Sequence, residues 1–172
     1  IITRKSISGL CGMFGKHLIK SSSTVQDPIG LSSGEAEYYA AVKGGSFFLG
    51  FKSLLEDLGI TVKLNLIVKT DSSAAKGMLS RRGLGKQRHI STRYLWIQDR
   101  VARKDLTIEK VGTKDQLADI LTKPTAQKDI ARVSEAVGLQ FQLWAFIGTT
   151  YTGTVTLNQW ATYDSSARTP NN

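Results

Sequence analysis

The longest helical pattern in the sequence, Ser33–Leu58, sets the main constraint on the fold. Ser32 and Glu35 fit a capping box at its start, and Gly59 fits a C-terminal stop. Strands and shorter helices are predicted around it: strands at Ile7–Phe14, roughly 18–31, Leu64–Val68 and Leu106–Val111, and helices at Ser72–Leu79, Ser91–Arg103 and Asp115–Leu121. Strands first, then alternating helices and strands, predict an α/β fold with a mixed sheet.

The composition excludes several protein classes. The chain has 172 residues, of which 41% are hydrophobic and 22% charged, as in ordinary globular domains. Its one cysteine, Cys11, cannot form an internal disulfide, which excludes a disulfide-built secreted scaffold. No apolar stretch is long enough to cross a bilayer, and no basic-then-apolar leader opens the chain. We therefore expect an intracellular protein that is not secreted, and the first residue, Ile1, indicates a piece of a longer one.

The charge of the chain is strongly basic and unevenly distributed. The net charge is +9, and the segment Lys76–Lys104 holds nine Lys and Arg residues against a single acid, Asp99. Such a density predicts a polyanionic partner, with a solvated basic face as the alternative.

Three acids occupy positions that favour a ligand site. Glu37 borders the predicted apolar stripe of the long helix, whereas Glu35 is expected to face water. Asp71 follows a strand, at the sheet edge where α/β proteins bind ligands, and Asp119 lies within a later helix. The stripe consists of Ala36, Ala40, Phe47, Phe51, Leu54 and Leu58. The structural alternatives for the three acids are a flanking helix acid, a helix N-cap and an acidic helix start, respectively. Carboxylate oxygens suit Mg²⁺, and a carboxylate cluster can hold two such ions against a phosphodiester.

Five segments of the sequence resemble, in the same order, the boxes of copia-type LTR retrotransposons. They are Thr3–Gly9 (TRKSISG), Leu31–Tyr38 (LSSGEAEY), Thr70–Ala75 (TDSSAA), Arg88–Ile90 followed by Arg93 and Tyr94, and Asp115–Pro124 (DQLADILTKP). The chain therefore resembles the ribonuclease H domain at the C-terminal end of the element's Pol polyprotein. The resemblance implies a ribonuclease H-like mixed sheet flanked by helices. We expect this domain at residues 1–128 and a C-terminal extension of unknown role at residues 129–172.

The resemblance also implies an activity and its cofactor. The family cleaves the RNA strand of RNA–DNA hybrids during reverse transcription, using two Mg²⁺ ions, which Mn²⁺ can replace, held by three Asp and one Glu. By motif position, Glu37, Asp71 and Asp119 are three of these four catalytic metal ligands. The fourth, an Asp on the first strand, precedes the first box. We expect this Asp and most of its strand to be missing from the chain, so a non-catalytic nucleic-acid-binding remnant is the alternative.

Partners and substrate contacts follow from the same resemblance. The implied partners are an RNA–DNA hybrid and the upstream Pol polyprotein with its reverse transcriptase, in a cytoplasmic virus-like particle or the nucleus, and no membrane. The predicted hybrid contacts are Arg88, His89, Arg93, Trp96, Arg100 and Lys104. On a helix over Ser91–Lys104, the last four share one face, so that cations contact phosphates and Trp96 packs on a sugar or base. Burial of Trp96 against a neighbouring helix and a structural role for His89 at a helix start are the alternatives.

Overall fold

A computed structural model describes residues 5–60 and 64–139 of the chain. This part has the α/β character that the sequence predicts. Along the chain its elements are β1 (Ile7–Phe14), β2 (His17–Val25), α1 (Ser33–Asp57), β3 (Ile67–Thr70), α2 (Ser73–Ser80), α3 (Trp96–Ala102), β4 (Thr107–Lys110) and α4 (Gln127–Ala136). Short 3₁₀ helices lie at Thr92–Tyr94, Thr113–Asp115 and Leu117–Leu121. No helix in the described ranges is long and apolar enough to cross a membrane.

In the described residues the strands form two separate pairs instead of the single mixed sheet that the sequence predicts. β1 and β2 are antiparallel, with Ile7 opposite Val25 and Phe14 opposite His17. β3 and β4 are parallel, and the crossover between them contains α2 and α3. Helix α1 packs against both β1 and β3. The helix therefore connects the two strand pairs, which a single continuous sheet would have joined directly.

The ends of α1 lie within one residue of the predicted ones, because local hydrogen bonds fix both. At the start, Ser32 Oγ accepts a hydrogen bond from the Glu35 N–H at 3.2 Å. At the other end, Gly59 adopts φ +73°, and the Ile60 N–H donates to Leu55 O at 2.9 Å. A glycine in this left-handed conformation, followed by that bond, ends a helix cleanly.

The buried face of α1 differs from the predicted apolar stripe. Leu54 and Leu58, which belong to that stripe, are 52% and 64% exposed. The fully buried residues of α1 all lie in its N-terminal half, and small residues there allow a close approach to the core: a Cβ atom on Gly45 would lie 3.1 Å from Ile97 Cδ1. The largest fully buried hydrophobic side chains are Tyr38, Leu79, Ile97 and Leu106. The predicted stripe is therefore wrong, because α1 meets the core through tyrosines, Val42 and small residues that the stripe left out.

The helix predicted over Ser91–Arg103 is shorter than expected. It begins only at Trp96, because the preceding residues form a 3₁₀ turn in which the Tyr94 N–H donates to Ser91 O at 3.0 Å. The change of helix type alters which side chains share a face.

Helix α4 spans residue 128, where the sequence predicts the boundary between the domain and its C-terminal extension. That boundary stays a prediction. Val133 on α4 and Val137 directly after it are buried, and the helix packs against the segment Leu117–Leu121. The rest of the predicted extension, residues 140–172, lies outside the described residues.

Candidate functional site

The fold brings the three predicted carboxylates close enough for the charges of Asp71 and Asp119 to act on Glu37. Glu37 lies in the first turns of α1, Asp71 directly follows β3, and Asp119 lies in the 3₁₀ segment Leu117–Leu121. All three residues are partly buried. Burial raises the pKa of Glu37, and the negative charges of Asp71 and Asp119 raise it further. Two aspartates that are far from Glu37 in the sequence therefore act on its charge in the folded chain.

A capped turn fixes the position of Asp71 at the end of β3. The hydroxyl of the buried Thr70 accepts a hydrogen bond from the Ser72 N–H at 3.1 Å. Ser72 Oγ in turn accepts from the Ala75 N–H at 3.1 Å, which makes Ser72 the N-cap of α2. The capping role considered for Asp71 thus belongs to Ser72, and the Asp71 carboxylate is not needed for it.

Asp119 is positioned by the packing of its segment, Leu117–Leu121, against the first strand pair. The segment is a 3₁₀ helix rather than the predicted α-helix. At Gly9 on β1, an added Cβ atom would lie 2.6 Å from Ala118 O, so the segment approaches the strand more closely than any larger residue allows. Ser23 Oγ on β2 also donates to the last carbonyl oxygen of the segment at 2.6 Å.

A lysine that the sequence reasoning missed lies beside these carboxylates. Lys123 Nζ donates to Asp119 Oδ2 at 2.6 Å. This hydrogen bond raises the pKa of Lys123, and the charges of Asp119, Asp71 and Glu37 raise it as well. The available signal was the spacing of four residues between Asp119 and Lys123, which places oppositely charged side chains together on a helical turn.

The donor chemistry of the site fits a hard divalent cation. Carboxylate oxygens are the ligands that Mg²⁺ prefers, and a cation relieves the repulsion felt at Glu37. Within residues 5–60 and 64–139, however, no three His, Cys, Asp or Glu side chains lie close enough together to hold one ion. In this arrangement the positive charge at the carboxylates comes from Lys123.

Glu35 is buried, although the sequence predicts that it faces water. It is 4% exposed, and its Oε2 accepts from the Leu31 N–H at 2.8 Å and lies 2.9 Å from His89 Nε2. Burial by itself would raise the pKa of Glu35, but these two hydrogen bonds outweigh it and hold the pKa below its usual value. The prediction failed because helical periodicity carries no information about a distant loop that covers this face.

That loop, residues 81–91, carries Arg88 and His89 and is built on a buried glutamine that the sequence reasoning missed. Gln98 Oε1 accepts from the Gly83 N–H at 2.8 Å, and its Nε2 donates to Met78 O at 2.8 Å. Arg88 is exposed, whereas one ring nitrogen of His89 is taken up by Glu35. The pairing favours the structural role for His89 over a direct hybrid contact.

The cations predicted on a single helix face lie on different elements. Arg93 belongs to the 3₁₀ turn, where its guanidinium donates to the Tyr94 hydroxyl at 2.6 Å and lies 4.7 Å from the centre of that ring. Arg100 lies on α3 and pairs with Asp105 at 3.0 Å. Lys104 follows the end of α3 with φ +63°. The three side chains are exposed, but they do not lie on the single helix that the sequence predicts, because α3 is too short to carry them.

Trp96 is partly buried against the core, which is the alternative considered for it. It also lines an open groove of about 600 Å³ between the β1–β2 pair, α1 and the turn Thr92–Tyr94. The aromatic and basic side chains of the groove are Tyr39, Phe47, Tyr94, Trp96, Lys43 and Arg93. Rings beside cations are suited to unpaired bases and phosphates.

Comparison with known sequences finds retrotransposon Pol polyproteins among the relatives of this chain. The chain is 33% identical over 141 residues to the retrovirus-related Pol polyprotein from transposon TNT 1-94 of Nicotiana tabacum. This match covers 81% of this chain and 10% of that protein. It is also 31% and 30% identical, over 135 residues, to the Pol polyproteins from transposons RE2 and RE1 of Arabidopsis thaliana. Each of these matches covers 78% of this chain and 9% of the relative.

The chain therefore spans about a tenth of the length of the curated relatives it matches. No protein-family model matches it, and no solved structure does. These three relatives are retrotransposon Pol polyproteins, which supports an origin of the chain within such a polyprotein.

Proposed function

We propose that the chain is the ribonuclease H region of a retrotransposon Pol polyprotein and cleaves the RNA strand of RNA–DNA hybrids. The observation that carries the proposal is the convergence of Glu37, Asp71 and Asp119 from three parts of the chain: the two aspartates act on the charge of Glu37, and all three acids act on Lys123. The similarity to Pol polyproteins and the five sequence boxes support it.

In this proposal the three carboxylates are the metal ligands. Glu37, Asp71 and Asp119 would hold Mg²⁺, with Mn²⁺ as a substitute, through oxygen atoms that such ions prefer. A bound metal supplies an activated water and stabilises charge on the phosphodiester. The chain itself fixes the ligands: the Ser72 cap sets Asp71, and the close approach at Gly9 sets Asp119.

Substrate attraction comes from the basic surface of the same chain. Exposed cations at Arg88, Arg93, Arg100 and Lys104 can neutralise phosphates of the hybrid backbone. With a net charge of +9, the chain draws polyanions from a distance as well.

The direct test uses a hybrid whose RNA strand is labelled. We expect Mg²⁺-dependent cleavage of the RNA strand that EDTA stops and that Asp71→Asn reduces below detection, because removing a charged ligand empties the metal site. Asp115→Asn is the matched control, since this exposed acid lies four residues from Asp119 and outside the carboxylate group. Equal cleavage by both variants would contradict the assignment.

A second candidate is nucleic-acid binding without cleavage. The spacing of the carboxylates favours it, because no metal-holding set of three is formed within the described ranges. In that case the chain retards a hybrid in a gel-shift assay but leaves its RNA strand intact at high Mg²⁺ or Mn²⁺. Binding together with metal-dependent cleavage rejects this candidate.

A further inference from the structure

We propose that the open groove between the β1–β2 pair, α1 and the turn Thr92–Tyr94 binds unpaired nucleotides of a single nucleic-acid strand. The groove and the predicted metal ligands lie on different sides of α1. At about 100° per residue, Tyr39 and Lys43 in the groove lie about 200–240° around the helix from Glu37. The inference therefore goes beyond the proposed cleavage and does not depend on it.

The size and the rings of the groove suit a short unpaired stretch and not a duplex. Its volume of about 600 Å³ is that of a site for a small molecule. Three partly exposed rings line it, those of Phe47, Tyr94 and Trp96. Because every base has a π face, stacking on such rings accepts any base that is free to leave its neighbours.

Two cations lie on different walls of the groove, where the phosphates of such a strand can pass. Lys43 on α1 is exposed, and its Nζ donates a hydrogen bond to Thr24 Oγ1 on β2. The Arg93 guanidinium lies 4.7 Å from the centre of the Tyr94 ring and donates to the hydroxyl of that ring. Both partners are neutral, so they hold the two cations in place without cancelling their charge.

A buried glutamine favours an unpaired base over a paired one. Gln26 lines the groove and is 6% exposed, and its Nε2 donates to Ser8 Oγ and Ala36 O, each at 2.8 Å. Its Oε1 has no hydrogen-bond partner among the residues that the structure describes, which is unfavourable for a buried acceptor. Asp27 also lines the groove and adds carboxylate acceptors. Bases carry N–H donors on the edge that they use for pairing, and only an unpaired base can offer these donors to the protein.

The first experiment measures binding of short single strands by fluorescence anisotropy. It is done in EDTA, so that a metal at the carboxylates plays no part. Labelled adenine hexamers of RNA and of DNA should bind the full chain, and abasic hexamers should bind about tenfold more weakly, because the stacking is lost. Equal binding of the abasic strands shows ionic attraction alone and overturns the proposal.

The groove variant is Lys43→Gln, since Lys43 is not among the predicted hybrid contacts. It should weaken hexamer binding about fivefold, the factor that one exposed charge contact supplies, and leave the affinity for a blunt-ended hybrid nearly unchanged. Lys52→Gln, which removes the same charge from α1 outside the groove, should change neither affinity. Arg88→Gln, on the loop 81–91, should weaken hybrid binding and leave hexamer binding nearly unchanged. Equal hexamer binding by the Lys43 and Lys52 variants overturns the assignment of the groove.

The second experiment locates the strand on the unmodified chain. A hexamer that carries a photoreactive thiouracil base is cross-linked by ultraviolet light, and the attachment is mapped by mass spectrometry. We expect attachment at Phe47, Tyr94 or Trp96. Attachment only outside the groove overturns the proposal.

The outcomes keep this proposal apart from the proposed cleavage. Hexamer binding that depends on Lys43, in a chain that does not cleave hybrids, supports the groove and contradicts the cleavage. Hybrid cleavage by a chain that does not bind the hexamers supports the cleavage and overturns the groove.

Discussion

Glu35 and Glu37 lie two residues apart on α1 and have opposite electrostatic environments. Hydrogen bonds from His89 and the Leu31 N–H stabilise the charge of the buried Glu35. The charge of Glu37 is instead opposed by burial and by its neighbouring aspartates. A carboxylate whose bonds are satisfied supports the fold, whereas one held among like charges is available to a cation.

This difference predicts distinct effects of two matched substitutions. Glu35→Gln should lower the free energy of unfolding by about 1–3 kcal/mol, because it weakens charge-assisted bonds inside the protein. Glu37→Gln should leave stability unchanged or raise it, because it removes repulsion, but it should abolish hybrid cleavage. Urea unfolding at pH 7 and the cleavage assay measure the two effects. Equal stability of the two variants would contradict the division of roles.

The exposed cations predict a salt dependence of hybrid binding. Replacing Arg93, Arg100 or Lys104 by Ala should flatten the slope of log affinity against log salt by about one unit for each phosphate that is no longer neutralised. Arg100 should have the smallest effect, because Asp105 already neutralises part of its charge. The control is Lys52→Ala, near the C-terminal end of α1, where the lysine pairs with Glu56. A triple variant with an unchanged slope would show that the hybrid binds elsewhere.

At the scale of elements, local signals were predictable from the sequence and tertiary contacts were not. β1 and the ends of α1 follow from strand composition, the Ser32 cap and Gly59, all of which act within a few residues. The buried state of Glu35 depends on His89, 54 residues away along the chain, and periodicity cannot reveal such a partner. The 3₁₀ form of Leu117–Leu121 accompanies its docking on β1, which is equally non-local. Helix and strand position and then motif position singled out Glu37, Asp71 and Asp119 in the sequence, and their role as metal ligands stays a prediction.

The docking of Leu117–Leu121 on β1 predicts a sensitive glycine. Gly9→Ala would place a Cβ atom 2.6 Å from Ala118 O, so the segment that carries Asp119 has to shift. We expect a loss of about 1–3 kcal/mol in stability and a larger loss of cleavage. Gly50→Ala on α1 is the control: no neighbouring atom lies within 4 Å of the added carbon. The free energy of unfolding of the Gly50→Ala variant should rise by roughly 0.5–1 kcal/mol. Full activity of the Gly9 variant would show that Asp119 tolerates displacement.

At the scale of the whole molecule, the buried residues of α4 and its C-terminal end indicate that the folded domain continues past residue 128. Val133 and Val137, at 2% and 5% exposure, lie beyond the predicted boundary at residue 128. A protein ending at residue 139 should therefore be more stable than one ending at residue 128, since each buried valine contributes about 1.5–3 kcal/mol. Thermal unfolding of the two proteins measures the difference. Equal stability would support the boundary at 128 and show that α4 is dispensable.

Glu37, Asp71 and Asp119 are three of the four metal ligands that the resemblance implies. The resemblance implies a fourth carboxylate, an Asp on a strand that precedes the first sequence box, and the relatives are far longer than this chain. Mg²⁺ requires near-ideal octahedral coordination, so three carboxylates at the spacing seen here hold it poorly. We therefore expect weak cleavage by the chain alone and a strong increase when a strand's length of its own upstream reading frame is added. The control is the same extension with its Asp changed to Asn, which restores the strand but not the ligand. If both extensions activate the chain equally, the strand acts by stabilising the fold; if neither does, binding without cleavage is the better account of this protein.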